Sequence, residues 1–89
     1  MNTNEQITEL AEIITTALHG HGMESTRRVD YERGSATNGR SWKLLYRYTD
    51  ERGIEQEGRV IARGASAAEI LTFARGMLEA LDTVRTLTR

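Results

Sequence analysis

The sequence predicts a two-layer α+β fold. Two helices lie on one face of a three-stranded antiparallel meander, in the order helix, strand, strand, strand, helix. Three observations predict it. Apolar residues recur at helical spacing near both ends of the chain, whereas the middle alternates apolar and polar residues with the period of a strand. Two segments rich in turn-forming residues, 34–39 and 50–53, divide that middle into three strands. No proline, linker or repeat interrupts the order.

The first helix is marked by Ile7, Leu10, Ala11, Ile14, Ala17 and Leu18. Thr3 and Gln6 have the spacing of a capping box, with Asn4 as an alternative cap. Gly20 and Gly22 end the helix, and His19 falls in its last turn. The first strand is expected within residues 23–33, with Val29 and Tyr31 on one face and Arg28, Asp30 and Glu32 on the other. The second has Trp42, Leu44, Tyr46 and Tyr48 facing the core, alternating with Lys43, Leu45, Arg47 and Thr49. The third spans residues 54–63; alternation sends Val60 and Ala62 inward and Glu57, Arg59, Ile61 and Arg63 outward. Ser66 and Glu69 form a second capping box. The closing helix shows a wide apolar stripe of Ile70, Phe73, Ala74, Met77, Leu78, Leu81 and Val84, and residues 86–89 are expected to fray. Leu71, off that stripe, and Leu87, past the expected helix end, could extend a dimer seam.

A chain of 89 residues corresponds to one domain, residues 1–89. Net charge is −1 with 28% charged residues, which announces neither a nucleic-acid partner nor an acidic mimic of one. The charge is uneven, however. Residues 1–26 carry four glutamates and no Lys or Arg, whereas residues 27–63 carry nine basic and six acidic groups. Cysteine is absent, which excludes a disulfide scaffold and thiol chemistry. No apolar run is long enough for a membrane span and no signal-like segment opens the chain, so a cytoplasmic protein with no membrane partner is expected.

Little in the chain points to catalysis. His19 and His21 could place two imidazoles on one side of an extended segment, but nothing near them except Glu24 adds a metal ligand, and a closed zinc site needs about four. A nucleophile needs a base and a group to orient it, and neither histidine has an evident orienting partner. The glycine-flanked loop at residues 34–39 lacks the lysine and following helix of a phosphate-binding loop. No catalytic residue, metal, cofactor or small-molecule substrate is therefore expected.

The element order between Ile7 and Leu81 resembles that of the double-stranded-RNA-binding domain family. That family reads RNA with its first helix, the loop after its first strand and lysines opening its last helix. Here the first helix is acidic, the loop at 34–39 lacks His and Pro, and the last helix opens Ser66-Ala67-Ala68-Glu69. The resemblance thus implies the fold and not RNA binding. The same order also occurs in small accessory proteins such as phage-encoded inhibitors.

The sheet face away from the helices carries the functional expectation. By alternation it presents Leu45 and Ile61 among Arg47 and Arg59, a combination enriched in protein interfaces. The expected function is a small non-enzymatic interaction module, adaptor- or inhibitor-like, that binds another protein or itself as a homodimer. Leu45, Arg47, Arg59 and Ile61 form the expected contact centre. The alternative is nucleic-acid binding through Arg28, Arg40, Lys43, Arg47, Arg59 and Arg63.

Overall fold

The structure is a computed structural model that describes residues 1–87. It contains α1 (Thr3–Gly20), β1 (Arg27–Glu32), a short 3₁₀ turn (Ala36–Asn38), β2 (Trp42–Thr49), β3 (Glu55–Gly64) and α2 (Ala67–Leu87). The strands form one antiparallel sheet in the order β1-β2-β3. Both helices pack on one face, α1 over β1 and α2 over β2 and β3. The αβββα order expected from the sequence is the fold. The two helices run side by side in the same direction. Gln6 and Leu10 of α1 meet Leu71 and Arg75 of α2, and Ile13 to Gly20 face Leu78 to Arg85.

Local chemistry explains the helix starts. The side chain of Asn2, not Thr3 or Asn4, caps α1: its Oδ1 accepts the Glu5 N–H at 2.8 Å, and its amide donates to the Glu5 carboxylate at 2.8 Å. The cap thus sits one residue earlier than expected, and Glu5 returns to the Asn2 side-chain amide rather than to a backbone N–H. Asn4 is used elsewhere, accepting the Tyr31 hydroxyl at 2.5 Å and so tying α1 to β1. Ser66 accepts the Glu69 N–H at 3.3 Å, as expected, while Glu69 reaches back to the Ala65 N–H at 2.6 Å. α2 runs through Thr86 to Leu87, into the segment expected to fray, and Thr88 and Arg89 lie outside the described residues. β1 is also shorter than its expected span, because residues 23–26 form the turn that follows α1.

The core is Ile7, Ala11 and Ile14 of α1, Val29 and Leu44 of the sheet, and Ile70 and Ala74 of α2. Trp42, Tyr31 and Tyr46 pack around it half-buried. Phe73 and Val84, expected in the apolar stripe, instead stand 42% and 48% exposed on the flank of α2. The stripe spans more of the helix circumference than the sheet and α1 together can cover.

The free edge of β1 is closed by side chains. Thr15 Oγ1 accepts the Val29 N–H at 2.9 Å, Asp30 Oδ1 accepts the Tyr31 N–H at 2.9 Å, and His19 Nε2 donates to the Arg27 carbonyl at 2.7 Å. An edge strand with most of its outward groups bonded is a poor template for another strand. β3, the other edge, is treated differently. Its register with β2 slips twice: Leu44 faces Ala62 but Leu45 faces Val60, and Arg47 then faces Glu57. Each slip is a bulge that inserts one extra residue in β3 and reverses which face the following side chains take.

Two substitutions separate core from surface. Leu44→Ala, at a fully buried site, is expected to cost about 2–5 kcal/mol in urea unfolding followed by Trp42 fluorescence. Ile54→Ala, at a site 51% exposed, should stay within about 0.5 kcal/mol of wild type. Equal losses at the two positions would contradict this assignment of the core.

Candidate functional site

The expected contact centre does not assemble. Leu45 lies on the sheet face away from the helices, yet it is only 1% exposed. Its neighbours there are Lys43 and Arg47 along β2, with Asp30 and Val60 across the strands. The stems of those long side chains cover it while their charged heads stay at the surface. Ile61 is not on this face. The first bulge turns it inward, where it packs against the core, and Val60 takes its place opposite Leu45. Arg59 is displaced too: it lines a groove with Leu18 and Tyr46 on the helix side. Of the four expected residues, only Arg47 shows a polar head on the outer face.

Arg47 is the centre of that face and is only 18% exposed. It ties the middle strand to both neighbours, through Asp30 at 2.9 Å and Glu32 at 3.3 Å on β1 and Glu57 at 3.4 Å on β3. Asp30 Oδ2 lies off the direction of the Arg47 Nε–H, so that contact is an ion pair rather than an aligned hydrogen bond. Arg28 and Arg47 sit directly opposite each other, a repulsive arrangement that Asp30 relieves by contacting both. Lys43 binds Glu32 at 2.9 Å, and Arg28 also pairs with Glu55. Arg63 faces Lys43 across the strands. The outer face therefore balances Arg28, Lys43, Arg47 and Arg63 against Asp30, Glu32, Glu55 and Glu57.

The six cations of the nucleic-acid alternative do not make one patch. Arg28, Lys43 and Arg47 are engaged with carboxylates, Arg40 donates to the Arg63 carbonyl at 2.9 Å, and Arg59 is on the other side of the sheet. Nor do the histidines gather ligands: among the described residues no cluster of metal-binding side chains occurs. No helix among them is long and apolar enough to cross a membrane.

Sequence reasoning missed two surfaces, both on the helix side. One is a groove of about 660 Å³ between the C-terminal halves of α1 and α2, with Ile13, Ala17, Leu78 and Leu81 along it and Asp82 and Arg85 at its rim. The signal that could have found it is Ile13 itself, an isoleucine off the apolar stripe of α1. The other is the groove of about 520 Å³ that Arg59 enters, between the end of α1 and the sheet. No sequence signal reveals that groove, because it depends on the bulges.

No family model matches the chain, and no curated protein or solved structure matches it.

The outer-face lattice makes stability depend on acid. The hydrogen bond from Lys43 holds the Glu32 carboxyl below its ordinary value of 4.5, the charges of Lys43 and Arg47 add to this, and partial desolvation opposes it. A carboxyl depressed in the folded state contributes stability above 4.5 that is lost as pH falls through the lower folded value. Thermal midpoints should therefore drop as pH falls below that point, and Glu32→Gln should flatten the drop. An unchanged slope in Glu32→Gln would remove Glu32 as a source of the acid sensitivity.

Proposed function

We propose that this protein is a small non-enzymatic interaction module, adaptor- or inhibitor-like, that self-associates through its helix layer rather than through the open sheet face. The observation that carries this reading is Ile13, 45% exposed beside the apolar groove between the two helices. The outer sheet face supports the reading less well, since its leucine is already buried and its charges are already balanced.

The groove suits a second copy of the chain. From Ile13 to Met23 there is no carboxylate, so two α1 C-terminal halves can approach without the repulsion that Glu5, Glu9 and Glu12 would impose. A helix laid in an apolar groove between helices is a common mode of recognition. Symmetric pairing would also bury apolar surface that a small domain can use for stability. The nucleic-acid alternative draws less support, because the cations of the outer face are met by an equal number of carboxylates.

The test is light scattering coupled to size-exclusion chromatography across a concentration series. Wild type should be a dimer whose mass is insensitive to salt, and Ile13→Asp should run as a folded monomer with an unchanged circular dichroism spectrum. A wild-type protein that stays monomeric at every concentration, or a dimer untouched by Ile13→Asp, would sink the reading. Leu45→Glu is expected to unfold the domain instead of merely dissociating it, since that side chain has no room for a charge.

A further inference from the structure

The groove between the end of α1 and the sheet differs from the outer sheet face in the partners of its charges. Its floor is Leu18, Met23 and the ring of Tyr46, and its rim carries Arg27, Arg59 and His21. No carboxylate lines it. On the outer sheet face Arg28, Lys43 and Arg47 each have acidic partners. Among the described residues, neither Arg27 nor Arg59 has an ion pair, and Arg59 makes no side-chain hydrogen bond.

Both arginines are placed by specific features of the fold. Arg27 lies over the rings of Tyr46 and Tyr48, its guanidinium 5.9 and 5.8 Å from their centroids. Such cation–π contacts hold the guanidinium over the rings while leaving N–H groups available. Arg59 reaches the groove only because of the bulge beside it; strict alternation would put it on the outer face with Glu57. Gly58, next to it, keeps the wall over Tyr46 open, since a Cβ there would come within 3.3 Å of Tyr46. The carbonyls at the end of α1, which would repel an anion, are occupied: those of Ala17, Leu18 and His19 accept from the backbone N–H groups of His21, Gly22 and Met23.

We propose that this groove is a binding site for an organic anion, a phosphate or carboxylate head carried on a flat apolar body. The two guanidinium groups would hold the head from opposite sides, since arginine presents paired donors that match either oxyanion. The body would lie on Leu18, Met23 and Tyr46, in a volume of about 520 Å³ that accommodates a small aromatic ligand. This site adjoins the helix groove of the self-association reading at His21 but does not rest on that reading.

The test is titration of the full chain with 1-naphthyl phosphate and with 1-naphthoate, followed by amide chemical shifts of Arg27, Gly58 and Arg59. At least one of the two should produce saturable shifts at these three residues, and which one binds more tightly identifies the head. Inorganic phosphate and 1-naphthol, each carrying half of the chemistry, should bind more weakly than the better probe by at least about tenfold. Arg59→Gln, at an exposed position, should also weaken that probe by about tenfold. Arg63→Gln, on the other face, should leave binding unchanged. Absence of saturable shifts with both naphthyl probes, or equal binding by Arg59→Gln and wild type, would overturn the proposal.

Discussion

Two consecutive leucines in the middle of β2 can both leave water only if the sheet is covered on both faces. Leu44 is covered by the helices, in a core with Ile7, Ile14 and Ile70. No helix covers Leu45. Its shelter is made from charged side chains whose methylene stems lie along the sheet, and that shelter holds because Arg47 pins carboxylates from both neighbouring strands over it. Salt bridges between fully exposed groups contribute little, but one centred on an arginine that is 18% exposed is screened less and is anchored from several directions. The remaining surfaces follow from this constraint: a face whose charges are spent on one another has few left for a partner.

The helix side was left with the opposite character. The outer edge of β1 is largely occupied, because Thr15, Asp30 and His19 bond most of its outward groups. β3 is broken by bulges, which both discourage strand addition and redirect side chains. One consequence is the inward turn of Ile61. Another is the arrival of Arg59 beside Arg27 above an apolar floor. The two helix-side grooves share His21, which lines both, so a ligand in one groove and a partner copy in the other would meet at that residue.

Much of the architecture is legible in the residue pattern. The spacing of Ile7, Ala11 and Ile14, the alternation from Trp42 to Tyr48 and the Ser66 cap each express a rule that acts over a few residues, and each appears in the fold as expected. The start of α1 was misplaced by one residue because Asn2, Thr3 and Asn4 are all competent caps, and only Tyr31, distant in sequence, decides which asparagine is free to serve. Phe73 and Val84 fit the helical period of the core but exceed what the sheet can cover, a limit that no period contains.

The sequence by itself determined the element order, the two-layer class and the residues of the main core, since local periodicity and turn chemistry dictate these. Only the tertiary structure decided which side chains each surface presents. A period of two assumes an unbroken ladder, and two register slips in β3 exchanged the faces of Val60, Ile61 and Arg59. Likewise, a leucine among arginines reads as exposed along the chain, and becomes buried only when carboxylates from the two flanking strands draw those arginines over it. Register and ion pairing join residues far apart in the chain, so neither is written in any short stretch of it.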